Sequence, residues 1–153
     1  MITISRIKKA VTLFWSAFKV VNVYPNVAVI SPNSLLAGRC ALITGGTGGI
    51  GYSIAETFLK SGAFVIITGR NPEKIKNACE KLNNESRVLG ICLDNTKVHT
   101  FQGIFDELQK KIECKGAKQI DILVNNAGVI GGNLPNATEH DFDRVLDTNL
   151  KGV

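Results

Sequence analysis

The sequence predicts an α/β fold in which a parallel sheet carries helices on both faces. From residue 38 onward, short apolar runs alternate with segments of helical periodicity, an order typical of parallel strands joined by helices. Such crossovers are right-handed almost without exception, so they place helices on both sides of the sheet. The 153 residues, 44% hydrophobic and 20% charged, suffice for one domain with its own core and exclude a disordered chain.

The first part of this fold is predicted to be two buried strands joined by a helix. The strands are the apolar runs CALIT at residues 40–44 and AFVIIT at residues 63–68. Between them, apolar residues from Ile50 to Leu59 recur at helical spacing. We expect this helix to end at Gly62, because glycine is the usual residue just past a helix end.

The middle of the chain continues the alternation. Asn71 is placed to cap a helix that has Pro72 at its first position. Strands are predicted at residues 87–94 and 120–125, with a long helix over residues 98–114 between them. These segments therefore continue the alternation of strands and helices along the chain.

At the C-terminal end, Thr138 and Asp141 fit a capping box that opens a helix containing Phe142 and Leu150. Four parallel strands would leave a sheet edge and apolar surface uncovered. We therefore predict a domain that is incomplete at its C-terminus. We also expect the 153-residue chain, when it is expressed alone, to be poorly soluble.

Residues 1–36 are predicted to be an extension, separate from the domain at residues 37–153. They hold four of the 18 basic residues and none of the 13 acidic ones, so the domain itself is nearly neutral. The domain thus lacks the basic stripe that nucleic-acid binding requires, and we expect no nucleic-acid partner. Residues 4–21 show helical apolar periodicity beside lysines, which predicts a basic amphipathic helix.

Three interpretations of this helix remain open. It packs on the domain or on a partner subunit, it lies in a membrane interface with Trp15 inward, or it is a signal peptide. Its uninterrupted apolar stretch is shorter than the about 20 residues that a bilayer span needs. The four cysteines show no metal-binding or disulfide spacing, so we expect no metal site. A reducing, cytoplasmic location follows, with peripheral membrane contact through residues 4–21 as the alternative.

Five glycines follow the first strand in the segment TGGTGGIG at residues 44–51. Glycine allows a tight turn and lets a pyrophosphate approach the backbone, while the following helix N-terminus offers free N–H groups to that anion. The segment fits GxGxxG, GxxGxxG and TGxxxGxG, which are fingerprints of different dinucleotide-binding families. By itself the loop therefore predicts nucleotide binding but selects no family.

Three further segments appear in the order that one such family shows. They are ICLDNT, in which Asp94 ends the third predicted strand, NNAG at residues 125–128, and DTNLKG around Asn149. Together with TGGTGGIG they resemble the short-chain dehydrogenase/reductase family over residues 38–153. The resemblance implies a Rossmann-type, doubly wound sheet. It also favours the TGxxxGxG form of the glycine loop.

The resemblance implies roles for individual residues in binding the cofactor. Those expected to line the pyrophosphate and its ribose are Gly45, Thr47, Gly49, Ile50 and Gly51. Asp94 would approach the adenine, and Asn126, Ala127 and Gly128 would border the cofactor further along. The alternatives are that Asp94 only caps the next helix and that the asparagines only hold the strand end together.

The end of the second strand predicts which dinucleotide binds. An acidic residue there binds the ribose 2′-OH of NAD, whereas an arginine accommodates the 2′-phosphate of NADP. Here the strand ends in Thr68-Gly69-Arg70, with no carboxylate. Arg70, with Asn71 beside it, therefore predicts NADP(H), because guanidinium suits bidentate phosphate contact. The alternative is a solvent-facing loop arginine.

Most of the catalytic residues that the resemblance implies are absent from these 153 residues. The family uses a serine, a Tyr-x-x-x-Lys pair and an asparagine, and only Asn149 matches. The two tyrosines, Tyr24 and Tyr52, are followed four residues later by Ala28 and Glu56. We therefore expect this chain to be inactive alone.

The sequence is interpreted as the cofactor-binding half of an NADPH-dependent reductase that turns a carbonyl into an alcohol. Its motifs look most like those of 3-oxoacyl-acyl-carrier-protein reductases, which implies a small-molecule carbonyl or alcohol substrate and a homo-oligomer. Two alternatives remain open. They are a non-catalytic NADP-binding or regulatory module, and a membrane-surface reductase of a lipid-linked substrate.

Overall fold

The computed structural model describes residues 31–83, 86–131 and 137–153. The amphipathic helix predicted at residues 4–21 lies outside the described residues, as does most of the extension. Within the described part, no helix is both long and apolar enough to cross a membrane.

Strands and helices alternate along the described chain, as predicted. They are β1 (Cys40–Ile43), α1 (Gly49–Lys60), β2 (Phe64–Gly69), α2 (Pro72–Leu82), β3 (Val88–Cys92), α3 (Phe101–Cys114), β4 (Ile122–Val124) and α4 (Glu139–Leu146). All pairings are parallel, in the order β3-β2-β1-β4. This confirms the predicted Rossmann-type parallel sheet.

Helices cover both faces of this sheet. On one face α1 and α2 pack against β1 and β2 through a buried cluster that includes Ile43, Ala55, Leu59, Val65 and Ile67. On the other face α3 packs through Leu42, Phe64, Ile66, Leu108 and Ile112. The alternation along β2 follows from the strand geometry, because successive side chains point to opposite faces.

The capping residues read from the sequence act as predicted. The side chain of Asn71 accepts a hydrogen bond from the Lys74 amide at 3.0 Å, and Thr138 and Asp141 form a reciprocal capping box. α1 ends where expected, and Gly62 follows it with a φ of +93°. Helix termini were therefore predictable because they depend on local side-chain chemistry.

Two strands are shorter than the predicted ranges of 87–94 and 120–125. β3 begins after Arg87, whose carbonyl still accepts from the Val65 amide at 2.8 Å and whose guanidinium donates to the Leu59 carbonyl at 3.0 Å. At its other end Asp94 turns back to bond Thr96 rather than extending the strand. β4 keeps only Ile122–Val124, because the chain after it bends toward the end of β1.

The β4 side of the sheet is the less covered one. Leu123 in β4 is 58% exposed, Phe142 in α4 is 63% exposed and Leu150 is 69% exposed. Beyond α4, a single π-helical turn over Asp147–Lys151 continues the chain. Among residues 31–83, 86–131 and 137–153, the edge at β4 is thus uncovered, and the predicted poor solubility stays a prediction.

Candidate functional site

The carboxyl ends of the strands meet at a cleft of about 580 Å³. In parallel α/β sheets, ligands bind in the crevice at this end. Five segments line it: the glycine loop, the end of β2, the residues after β3, the residues after β4, and the turn after α4 through Thr148. Predicted site residues that line the cleft are Gly45, Thr47, Gly49, Ile50, Arg70, Asp94, Asn126, Ala127 and Gly128.

The glycine loop has the backbone geometry that an anion-binding turn needs. Gly45 and Gly49 adopt φ values of +66° and +54°, in the left-handed region that favours glycine. A Cβ on Gly45 would lie 2.9 Å from the Ala127 Cα. By contrast, a Cβ on Gly48 or Gly49 would meet nothing within 4 Å, so the outer part of the loop is open.

The N-terminus of α1 opens directly from this loop. Its N-cap is Gly48, which has no side chain, so no side chain bonds the first amides of the helix. Free N–H groups and the positive end of the helix dipole favour an anion at this point. The loop and helix together therefore fit a dinucleotide pyrophosphate.

Gly51 is placed differently from the prediction, because it does not line the cleft. A Cβ there would collide with the Asn126 amide nitrogen and would lie 2.6 Å from the Gly45 carbonyl oxygen. The glycine is thus required by close packing of α1 against the segment after β4. Its contribution to the site is indirect.

Thr44, at the end of β1, ties two parts of the site together. Its hydroxyl donates to the Val124 carbonyl at 3.3 Å and accepts from the Asn126 and Ala127 amides, each at 3.0 Å. The Asn126 side chain donates back to the carbonyls of Thr44 and Gly45, at 3.0 and 3.2 Å. We call these five hydrogen bonds the Thr44 latch.

The latch accounts for both interpretations of Asn126 and adds Thr44 to the site. Asn126 both holds the strand end together and lines the cleft, so the two interpretations of it coexist. Thr44 was not among the predicted site residues. A threonine that ends a strand gives no signal in one sequence that its hydroxyl will meet a distant backbone.

Asn149 lies in the π-helical turn, outside the lining of the cleft. Its side-chain oxygen accepts from the Val129 amide at 2.8 Å, and its nitrogen donates to the Val129 carbonyl at 2.9 Å. An amide group has two donors and two lone pairs, so one donor and one acceptor position remain. In this structure Asn149 fixes the segment that follows Gly128.

After the end of β2, Arg70 and Asn71 have different surroundings. Arg70 is exposed and lines the cleft, as predicted. Asn71 does not line it, because its side chain is the cap of α2. Between β2 and the glycine loop, a Cβ on Gly69 would lie 2.8 Å from the Thr47 methyl carbon, so a larger residue there would displace the Thr47 side chain.

Asp94 brings the one carboxylate among the residues that line the cleft. Its oxygen accepts from the Thr96 hydroxyl at 2.8 Å and from the Thr96 amide at 3.1 Å. These bonds, of which the one from the hydroxyl has the larger effect, hold the pKa of Asp94 below its ordinary value. The charges of Lys97 and Arg70 act in the same direction. Asp94 therefore lines the cleft as an anion.

A buried hydroxyl in the wall of the cleft also suits a polar ligand. Within the described residues, the Thr68 hydroxyl is the buried side-chain polar atom that lacks a hydrogen-bond partner. A buried polar group without a partner is costly, so such groups often mark sites that a ligand or water completes. The same described residues contain no cluster of three metal-ligating side chains.

A family model for short chain dehydrogenases matches residues 39–153. The chain belongs to the short-chain dehydrogenase family. Membership implies a nicotinamide dinucleotide cofactor, and the open glycine loop, the uncapped α1 N-terminus and the unpartnered Thr68 hydroxyl fit one.

Similar family members come from several kingdoms. The chain is 37% identical over 117 residues to a short chain dehydrogenase/reductase of Gibberella zeae, covering 75% of this chain and 42% of that protein. It is 38% identical over 121 residues to the 3-oxoacyl-acyl-carrier-protein reductase FabG of Rickettsia felis, covering 76% and 44%. It is also 38% identical over 133 residues to a (+)-borneol dehydrogenase of Salvia officinalis, covering 82% and 44%. The chain thus spans less than half the length of these relatives.

Solved structures agree with the fold. A putative gluconate dehydrogenase from Agrobacterium tumefaciens superposes with a TM-score of 0.67 at 29% identity, covering 80% of this chain and 47% of that one. A short chain dehydrogenase from Mycobacterium smegmatis gives a TM-score of 0.68 at 28% identity, covering 80% and 50%.

Proposed function

We propose that this chain is the cofactor-binding part of an NADPH-dependent carbonyl reductase. The observation that carries the proposal is the cleft itself, in which an open glycine loop and an uncapped helix N-terminus lie beside Arg70. The loop and helix account for binding of the pyrophosphate. Arg70 accounts for the choice between the two nicotinamide cofactors.

The end of β2 supports a preference for NADP over NAD. Recognition of NAD relies on a carboxylate that accepts a hydrogen bond from the ribose 2′-OH. Here Gly69 and Arg70 occupy the strand end, and the Asp94 carboxylate already accepts two hydrogen bonds from Thr96. A cation at this place attracts the 2′-phosphate and has no corresponding partner in NAD.

The segment after β4 supports the far part of the cofactor site. The Thr44 latch fixes Asn126 and Ala127 against the glycine loop, and Asn149 fixes Val129. Together they hold the wall of the cleft in one position before a ligand arrives. Such preorganisation increases affinity because less freedom is lost on binding.

NADPH supplies a hydride for transfer to a carbonyl carbon. The developing alkoxide then needs a proton from a positioned acid of suitable pKa. Among the residues that line the cleft, Asp94 is ionised and no tyrosine or lysine is present. We infer that residues other than those lining the cleft deliver this proton in the full-length protein, and that Asn149 positions the cleft wall nearby.

The proposed substrate is a small carbonyl compound, with a 3-oxoacyl thioester as the specific candidate. The similarity to the Rickettsia felis reductase supports this choice. The equal identity to a borneol dehydrogenase supports the wider class of carbonyl and alcohol substrates. An assay of NADPH oxidation with both substrate types separates the two.

The cofactor proposal is tested by titrating the full-length protein with NADPH and with NADH. We expect tighter binding of NADPH, and Arg70→Ala should reduce NADPH affinity by an order of magnitude or more while leaving NADH affinity nearly unchanged, since a charge-assisted phosphate contact is lost. Arg70→Lys should give an intermediate value because it keeps the charge and loses the planar fork. Equal losses for both cofactors would overturn the role of Arg70.

A further inference from the structure

A groove separate from the cleft lies between the start of α1 and α2. It has a volume of about 340 Å³. Its lining residues are Thr47, Gly48, Gly49, Tyr52, Lys74, Asn77, Ala78 and Lys81. Three of them, Thr47 to Gly49, also line the dinucleotide cleft, so the two spaces adjoin at the glycine loop.

The groove carries positive charge without compensation. Its lining includes Lys74 and Lys81 and no acidic residue. Within the part of the chain that the structure describes, neither lysine forms an ion pair. Lys76, on another face of α2, is 3.9 Å from the carboxylate of Glu80. The groove is therefore the side of α2 on which an added anion meets two unpaired cations.

The boundary between groove and cleft is open at two of its three shared residues. A Cβ added to Gly48 or Gly49 would meet no atom within 4 Å, so neither position places a side chain between the two spaces. Lys74 lies in the first turn of α2, four residues after Arg70. α2 runs away from the glycine loop, so Lys81 lies about 10 Å further along its axis. Lys74 is thus the groove cation nearest to the shared boundary.

We propose that the groove is a second anion subsite of the cofactor site and that Lys74 binds the 2′-phosphate of NADP together with Arg70. The inference rests on the proposed NADP preference and deepens it. Arg70 supplies a planar, bidentate contact from the cleft, and Lys74 supplies a point charge from the groove. Two cations on a doubly charged phosphate neutralise it more fully than one.

The test is a titration of the full-length protein with NADPH, NADH, 2′,5′-ADP and 5′-AMP. Exposed charge pairs contribute modestly, so Lys74→Ala should weaken NADPH and 2′,5′-ADP about fivefold and leave NADH and 5′-AMP within about twofold. Lys74→Glu should weaken the phosphorylated pair further, because it places a like charge beside the phosphate. Thermal melting of each variant checks that the fold is retained.

Lys76→Ala is the matched control. It removes the same charge from the same helix, outside the groove, and should change all four affinities by less than about twofold. A loss in Lys74→Ala no larger than in Lys76→Ala overturns the inference. So does a loss that is equal for NADPH and NADH, because that indicates a structural effect on α2.

Failure of the proposed function has a different signature. If the wild-type protein binds neither dinucleotide, or binds NADH as tightly as NADPH, the proposed cofactor choice is wrong and the inference falls with it. If Arg70→Ala selectively weakens NADPH while Lys74→Ala does not, the proposed function stands and only the groove subsite is rejected.

Discussion

Two regions of this molecule are held in place by different forces. The sheet centre rests on apolar burial, since every residue of β1 is buried and so are the first five of β2. The region of β4 and α4 has no fully buried residue in either element. It is attached through the pairing of β4 with β1 and through polar contacts to backbone, chiefly the Thr44 latch. The bonds from Asn149 to Val129 then join two segments within this region.

The difference shows how the cofactor cleft is divided between the two regions. The glycine loop and Arg70 directly follow β1 and β2 of the well-packed region, and Gly48 to Ile50 and Arg70 are themselves exposed. Asn126 to Ile130 belong to the other, so that wall depends on a few hydrogen bonds. Each buried hydrogen bond contributes about 1 kcal/mol, far less than a buried side chain cluster. We therefore expect destabilising conditions to disrupt the wall formed by residues 126–130 before they disrupt the rest of the cleft.

The largest expected effect compares two neighbours of Leu42. Ile66 in β2 and Leu123 in β4 both pair with it, but Ile66 is 0% exposed and Leu123 is 58% exposed. Ile66→Ala should lower the free energy of unfolding by about 4 kcal/mol, because it leaves a cavity in the core. Leu123→Ala should cost less than about 1 kcal/mol. Urea denaturation of the 153-residue chain measures both, and similar costs would contradict the comparison.

Next in size is a pair of glycine substitutions in the loop. Gly51→Ala should cost about 3 kcal/mol, because the new methyl group collides with Asn126 and with the backbone of Gly45. Gly48→Ala should stay within about 0.5 kcal/mol, because Gly48 is extended and its surroundings are open. Thermal melting compares the two variants. A lower melting temperature for Gly48→Ala with an unchanged one for Gly51→Ala would contradict this comparison.

A smaller effect should follow from breaking the Thr44 latch. Thr44→Val keeps the shape of the side chain but removes the acceptor of two amides, so we expect a loss of about 2 kcal/mol. NADPH affinity should fall as well, because residues 126–128 line the cleft. Thr57→Val is the control, since its hydroxyl donates only to Ser53 one turn earlier in α1. A latch variant that matches this control would show that the hydroxyl is dispensable.

The smallest effect concerns pH at the start of β4. A backbone hydrogen bond from Cys40, followed by contacts with Arg39 and Gln119, holds the pKa of Asp121 below its ordinary value. Burial, with the nearby charge of Asp121, raises the pKa of Cys40 to about 11, so Asp121 is the group of this pair that ionises at neutral pH.

Because the folded pKa of Asp121 is lowered, its stabilisation is complete above about pH 4 and is lost as the pH falls through the folded value. Asp121→Asn should therefore flatten the acid limb of a plot of unfolding midpoint against pH. An unchanged acid limb in this variant would exclude the effect.

The sequence was sufficient for features that depend on neighbouring residues. The capping residues Asn71 and Thr138 and the turn at Gly62 followed from local chemistry. The parallel order of strands followed from their alternation with helices. The family resemblance was then confirmed by the match over residues 39–153.

Features that depend on distant contacts could not be predicted in the same way. The Thr44 latch joins residues 80 or more positions apart, and Gly51 faces Asn126 instead of the cleft. The groove beside Lys74 forms only when α1 and α2 pack side by side, so its positive charge could not be predicted from the sequence. Asn71 shows the reverse case, because its cap was predicted from local chemistry whereas its absence from the cleft lining was not.

The central claim is that the dinucleotide lies over the glycine loop and against the wall that the latch holds. Hydrogen–deuterium exchange of the full-length protein with and without NADPH tests it most directly. We predict slower exchange at residues 45–50, 68–70 and 126–129, and no change around residues 116–119 at the opposite end of the sheet. Unchanged exchange in the glycine loop at saturating NADPH would contradict the account.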